Sequence, residues 1–203
     1  MVVIGLTGGI ASGKTTAADF LEEVGAPVVR SDRLARDVVA PGEPALGEIG
    51  AAWPGVMTAD GTLDRKALGR IIFAQPAERR RLEAITHPRI HRRMQEWLDA
   101  QRRAGAPAAV CDIPLLFEAG YDRRPEFLHR IWVVRCEEAT QLRRLMARDG
   151  LAEGPARQRL AAQWPLSRKV PGADLVLEND GAPENLRAQV VQAWQAVLGS
   201  APA

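Results

Sequence analysis

Apolar positions along this chain recur at two different spacings, and the switches between them mark its elements. Val2–Leu6 is an apolar run closed by Thr7-Gly8-Gly9, the pattern of a buried strand. From Lys14 the period lengthens: Ala17, Phe20, Leu21 and Val24 share one helical face, and Gly25 then Pro27 stop the helix. Val28–Val29 opens a second strand that is expected to end near Asp32. Strand patterns return at Ala108–Ile113, Arg130–Val134 and Ala173–Leu177. Helices are predicted over 137–148, 155–164 and 183–198, the last with a stripe that includes Leu186, Val190, Trp194 and Val197. Between 33 and 106 there is no convincing long strand, only turns at Pro41-Gly42 and Asp60-Gly61 and helical stretches near 64–74 and 76–103. The tail, Gly199 to Ala203, reads as disordered. Strands separated by helices imply right-handed βαβ crossovers and a parallel sheet, so the fold class is α/β.

Composition narrows the class further. The 203 residues suit one α/β domain with insertions, and 46% are hydrophobic, enough for a core without staples. Cys111 and Cys136 sit inside apolar strand patterns and read as buried free thiols, and no cysteine–histidine spacing suggests structural zinc. Met1 runs directly into the first strand, with no basic leader and no apolar run near spanning length, so a cytosolic protein is expected. A net charge of +2 argues against a nucleic-acid partner. The basic excess is local: residues 76–103 hold eight Lys/Arg against four Asp/Glu.

One stretch carries a specific chemistry. Gly8-Gly9-Ile10-Ala11-Ser12-Gly13-Lys14-Thr15 fits G-x-x-x-x-G-K-[ST], between a strand and an amphipathic helix. In such a loop successive N–H groups point at phosphate oxygens and the helix N-terminus adds positive potential. Lys14 reaches the β- and γ-phosphates, and the Thr15 hydroxyl is a ligand for Mg²⁺. Parallel sheets bind ligands at the carboxyl ends of their strands. There the second strand brings Asp32 and the third brings Asp112. Asp32 either takes the proton of an attacking hydroxyl, helps hold the metal, or caps a helix beginning at Arg33. Asp112 is placed as a metal-holding carboxylate or as a cap on the turn before Pro114. Arg144 and Arg148, four apart, share a helical face that can close over phosphates, whereas single arginines of 143–168 also suit a solvated face. Arg79, Arg80, Arg81, Arg89, Arg92 and Arg93 form either an anion-binding groove or a solvated face, and His87 reads first as a local hydrogen-bonding residue.

Taken in order, these motifs resemble the dephospho-coenzyme A kinase family. The resemblance rests on Gly5-Leu6-Thr7-Gly8-Gly9-Ile10, Ser12-Gly13-Lys14-Thr15-Thr16, Asp32 with Ala35-Arg36, and Asp60-Gly61 with Arg65 and Leu68. It continues through His87-Pro88, Pro114-Leu115-Leu116-Phe117-Glu118, Gln141, Arg144, Arg148, Gln163, Ala173-Asp174 and Asn179-Asp180-Gly181. It implies a P-loop nucleoside-kinase-like three-layer sandwich: a five-stranded parallel sheet in a core of about 1–32 and 106–203, a helical substrate-binding insertion of about 33–105, and a lid of about 140–168. It implies Mg-ATP and dephospho-coenzyme A as the small-molecule partners, with phosphorylation of the ribose 3′-hydroxyl to give coenzyme A and ADP, in a monomer or weak homo-oligomer. Asp32, Lys14 and Arg144 fall at catalytic positions, with Asp32 as general base. Nucleotide contacts fall on Gly9–Thr16, Arg148, Asn179 and Gly181, acceptor contacts on Asp32, His87, Leu115 and Glu118, and metal contacts on Thr15 and Asp112.

Two positions depart from the family pattern. Arg30-Ser31-Asp32 stands where Asp-x-Asp is usual, leaving Asp32 as the one carboxylate there. Ala11 replaces a common glycine, a change without cost if its φ is negative. The competing readings are a kinase for another small hydroxyl, such as a nucleoside monophosphate or shikimate, and a P-loop ATPase switch. A guanine-reading Asn-Lys-x-Asp element does not occur.

Overall fold

The computed structural model describes residues 1–121 and 127–200. The chain forms two compact units, Met1–Val29 with Ala100–Ala203 and Arg30–Asp99.

The first unit is built on a sheet of five strands, β1 (Val2–Gly8), β2 (Val28–Arg30), β3 (Ala108–Asp112), β4 (Arg130–Arg135) and β5 (Leu175–Glu178), in the order β2-β3-β1-β4-β5. Strand β1 pairs in parallel with β3 (Leu6 opposite Asp112) and with β4 (Gly8 opposite Val134). It lies at the centre because nearly every residue from Val3 to Gly8 is buried on both faces, as a parallel strand requires. On one face Ile4, Leu6, Trp132, Val134 and Leu177 meet α1 (Lys14–Glu23) through Ala17, Ala18 and Leu21. They also meet α9 (Pro183–Ser200) through Leu186, Val190, Trp194 and Val197. Helix α1 ends in a Schellman turn, with Gly25 at φ 82° and Ala26 N–H bonded to the Leu21 carbonyl at 2.9 Å. Helices α6 (Glu138–Asp149), α7 (Glu153–Ala161) and the four-residue α8 (Leu166–Lys169) follow β4.

The second unit contains α2 (Ser31–Asp37), α3 (Pro44–Ala52), α4 (Arg65–Ala74) and most of α5 (Pro76–Arg103). Its core gathers Val38, Val39, Ala45, Ile49, Trp53, Val56 and Leu68, with Leu82, Ile85 and Ile90 of α5 packed on it. Asp64 caps α4 by accepting from the Lys66 and Ala67 amides.

Three expectations change. The second strand stops at Arg30, and Ser31 already begins a helix, so Asp32 is not a strand-end residue. Helix α3 has no counterpart in the sequence reading, and α2, there only as the alternative of a helix beginning at Arg33, starts two residues earlier at Ser31. Gly199 and Ser200, expected in a disordered tail, complete α9, and residues 201–203 lie outside the described set.

Candidate phosphate-binding site

The loop between β1 and α1 has its peptide planes fixed one after another by side chains from distant parts of the first unit. Lys169 Nζ donates to the Gly8 carbonyl at 3.2 Å. Gln163 Oε1 accepts from Ile10 N–H at 2.9 Å, and Gln141 Nε2 donates to the Ile10 carbonyl at 2.7 Å. Asn179 Nδ2 donates to the Ser12 carbonyl at 2.8 Å. The Gly9 carbonyl is taken by Ser12 N–H at 3.1 Å. A trans peptide sets C=O and N–H on opposite sides of one plane. Fixing the carbonyls of Gly8, Ile10 and Ser12 therefore turns the N–H groups of Gly9, Ala11 and Gly13 away from their clamps.

The helix start adds more donors. Ala17 N–H is the first to bond back, to the Gly13 carbonyl, so the amides of Lys14, Thr15 and Thr16 have no intrahelical acceptor. Gly13 must be glycine on two counts: its φ is +96°, and a Cβ would fall 1.9 Å from Asn179 Nδ2. Ala11 corrects the sequence reading. Its φ is +58°, the left-handed region, so alanine there carries strain that the expected glycine would not.

The charged residues expected at the site are mostly engaged by other protein groups. Lys14 forms an ion pair with Asp112, which is 3% exposed at the end of β3. Thr15 is exposed in the first turn of α1. Arg144 of α6 approaches the Cys136 thiol; burial pushes that thiol up to about 11, and the arginine opposes the shift. Arg148 bonds Asp149 at 2.8 Å, which raises the arginine's pKa and lowers the carboxyl's, and Asp149 also accepts from Arg159 at 2.6 Å. Arg148 is thus engaged by its neighbour in α6, while Asp149 ties α6 to α7 through Arg159. Among the described residues, the buried side-chain nitrogen and oxygen atoms without a hydrogen-bond partner are Ser12 Oγ, Arg144 Nη1 and Glu118 Oε2. Native interiors seldom leave such atoms unpaired. Here they are a hydroxyl of the loop, a carboxylate oxygen of Glu118 and an arginine nitrogen of α6.

Several expected site residues are engaged differently. The Asn179 side chain is spent on Ser12, so any contact of its loop with a base falls to its backbone and to Gly181. Glu118 is held inside, its Oε1 accepting from Trp164 N–H at 2.9 Å and pairing with Lys169 at 2.8 Å. Leu115 is 45% exposed. Gly9, Ile10, Gln141 and Gln163 also line a cavity of about 890 Å³ beside α6 and α7, a volume typical of ligand pockets.

Two expected residues belong to the second unit. Asp32 sits in the first turn of α2, whose N-cap is Arg30, and its Oδ1 accepts from Arg33 N–H at 2.9 Å. The capping alternative fails in its simple form, because Asp32 is inside the helix. His87 is exposed within α5, one residue before the in-helix Pro88. Of the neighbouring basic residues, Arg89 pairs with Glu48 at 2.5 Å and Arg93 with Glu43 at 2.6 Å, so those two brace α5 to the segment around α3.

Sequence reading missed Lys169. A signal was present: the chain uses three lysines, Lys14, Lys66 and Lys169, against twenty-four arginines. The roles of Gln141 and Gln163 were also invisible, since an amide side chain announces no particular task.

Among the described residues no group of three or more His, Cys, Asp or Glu is arranged to hold a metal. A Mg²⁺ that arrives on nucleotide phosphates needs only one or two protein oxygens, and the Thr15 hydroxyl and Asp112 carboxylate are the groups that could supply them.

A phosphate loop of this form, opening the first helix of a five-stranded parallel sheet, defines a P-loop α/β protein of the kinase type. Comparison with known proteins carries this further. A sequence profile of dephospho-CoA kinase matches residues 2–185. The chain is 51% identical to a dephospho-CoA kinase of Geobacter metallireducens over 196 residues, covering 96% of each. It superposes on a crystal structure of a Thermus thermophilus protein with a TM-score of 0.83 at 36% identity, covering 100% of this chain and 98% of that one. It matches a dephospho-CoA kinase from Campylobacter jejuni with a TM-score of 0.73 at 26% identity, covering 97% of both. The chain belongs to the dephospho-CoA kinase family.

Proposed function

We propose that the chain transfers the γ-phosphoryl group of ATP to the ribose 3′-hydroxyl of dephospho-coenzyme A, releasing ADP and coenzyme A. The observation that carries this reading is the clamped Gly8–Thr15 loop, with its buried, unpartnered Ser12 hydroxyl, in a chain of this family. Phosphoryl transfer requires mainly positioning and charge stabilisation, and the loop supplies both through preset amides at a helix N-terminus.

In the reaction a bond forms between the ribose O3′ and Pγ while the bond from Pγ to the β–γ bridging oxygen breaks. Asp32 accepts the proton of the 3′-hydroxyl, and Lys14 leaves Asp112 to follow the β- and γ-phosphates. Arg144 offers Nη1 to the transferring group, where negative charge is most dispersed in the transition state. Arg148, Gly181 and the loop amides hold the nucleotide, and Thr15 and Asp112 would hold a Mg²⁺, which would supply charge neutralisation at the phosphates. Residues of about 33–105, with His87 and Leu115, serve the acceptor, whereas Glu118 is held inside by Trp164 and Lys169, and about 140–168 serve as the lid. The enzyme is placed in the cytoplasm as a monomer or weak homo-oligomer; among the described residues no helix is long and apolar enough to cross a membrane.

A coupled ADP-release assay with dephospho-coenzyme A, AMP or buffer alone tests the assignment. Turnover should require dephospho-coenzyme A. Preference for AMP would make the chain a nucleotide kinase, and equal release in buffer would make it an ATPase.

A further inference from the structure

We infer that Lys169 is a positioning residue for this reaction, acting through the Gly8–Gly9 peptide and through Glu118. The inference rests on the phosphotransferase reading above and concerns a residue that touches neither substrate.

Lys169 is 0% exposed, one of the largest fully buried side chains of the protein, at the end of the four-residue helix α8. Its ammonium meets the Gly8 carbonyl at 3.2 Å and Glu118 Oε1 at 2.8 Å. The same Glu118 oxygen accepts from Trp164 N–H, next in sequence to Gln163, whose amide oxygen takes Ile10 N–H. One buried pair therefore fixes the phosphate loop twice, directly at Gly8 and through the backbone that presents Gln163. The Gly8 contact orients the Gly9 amide, the first donor of the loop, by peptide planarity.

Energetics argue against a purely stabilising role. Stripping water from an ammonium and a carboxylate is costly, and apolar residues of similar volume often stabilise a fold at least as well. What an ion pair supplies instead is a fixed geometry and a positive charge beneath the loop. The choice of lysine fits this. In a chain with three lysines against twenty-four arginines, a compact ammonium sits where a planar guanidinium would not fit a single carbonyl and one carboxylate oxygen. The remaining Glu118 oxygen is buried without a partner, which indicates that the carboxylate is oriented by the lysine and the Trp164 amide and not by a general polar network.

The test compares wild type, Lys169→Met and the double variant Lys169→Met/Glu118→Leu, which removes both charges. Each is assayed for coenzyme A formation over a range of ATP concentrations and for its urea unfolding midpoint. Ångström-scale misplacement of a reacting group costs on the order of 10²-fold in rate. Both variants should lose roughly 10- to 100-fold in kcat. The KM for ATP should move by less than about threefold, because ground-state binding is shared among many loop contacts. Lys169→Arg should recover little of the rate. Wild-type kcat in either variant would overturn the proposal, as would rate losses that track only a rise in KM. Failure of both variants to fold would assign the pair to stability and overturn it equally. Absence of turnover in the wild type would instead refute the underlying functional reading.

Discussion

Replacing Ala11 by glycine should stabilise the protein without altering its chemistry. Ala11 is the one described residue other than glycine with a positive φ, +58°. A Cβ in that region collides with the following carbonyl, at about 1–2 kcal/mol per residue. Glycine removes this cost, but it also loosens the unfolded chain, which takes back about 0.4–1 kcal/mol. With each range taken at its middle, the net gain is about 0.8 kcal/mol. For a chain of this length each 1 kcal/mol moves Tm by about 2–4 °C, so Ala11→Gly should raise Tm by about 1–4 °C. The loop geometry is held from outside, by Gln141 and Gln163 on Ile10 and by Asn179 on Ser12, so kcat and KM should stay within about twofold of wild type. Differential scanning calorimetry with steady-state assays reads both quantities. The opposite change, Gly13→Ala, supplies the contrast: its Cβ would fall 1.9 Å from Asn179 Nδ2 at φ +96°, so it should lower Tm and uncouple Asn179 from the loop. An unchanged or lower Tm for Ala11→Gly would mean that the loop does not hold residue 11 in the left-handed region in solution.

Asp32→Asn should cut turnover by roughly 10²–10⁴-fold at little cost in stability, as loss of a general base does; a small effect there with a large one in Asp112→Asn would move the proton-accepting role to Asp112. Arg144→Ala should lower kcat on the order of 10²-fold while changing ATP affinity much less, and an unchanged kcat would return Arg144 to a packing role beside Cys136. Burial pushes the Cys111 thiol from 9.0 up to about 12, so the folded state favours the protonated form. Its contribution is fully present below pH 9 and is lost as pH rises toward 12, with about 1.4 kcal/mol gone by pH 10. Urea midpoints of wild type and Cys111→Ala at pH 8 and pH 10 should differ by that amount in their pH dependence, and parallel curves would refute it.

What was legible in the sequence follows from how far each signal reaches along the chain. The five strands, α1 and α9 announce themselves because burial on a sheet imposes a period on neighbouring residues, as in Val2–Leu6 and in Leu186, Val190 and Trp194. Helix α2 gives no such signal, since none of its seven residues is buried. Helix α3 was hidden for a related reason, being nine residues long with alanine and glycine on much of its surface. Because α2 buries nothing, the end of β2 is unmarked in the sequence, and Asp32 reads as a strand-end residue or a cap when it lies inside the helix. The phosphate loop was legible as a motif, yet the left-handed turn at Ala11 was not, because φ depends on how the loop is held and not on the residue that occupies it.

How the loop is held is a tertiary property. Ile10 is bonded by residues 131 and 153 positions away, Gly8 by one 161 away, and Ser12 by one 167 away. A loop with three glycines loses much conformational freedom on ordering. If that ordering took place on nucleotide binding, it would weaken the affinity; here it is completed by folding, so the amides are oriented before a phosphate arrives. The placement of the clamps also constrains the lid proposed for 140–168. Gln141 and Gln163 lie near its two ends, and both bond the same residue, Ile10, one at the carbonyl and the other at the amide. Movement of the segment between them, including α7 and the Arg148–Asp149–Arg159 contacts, leaves the loop undisturbed only while those two amides stay in place. Closure that pivots on Gln141 and Gln163 keeps the phosphate amides aligned, whereas closure that drags either glutamine releases a peptide plane of the loop. For the proposed lid, carrying Arg144 and Arg148 toward a bound nucleotide without releasing the loop would require bending between residues 141 and 163.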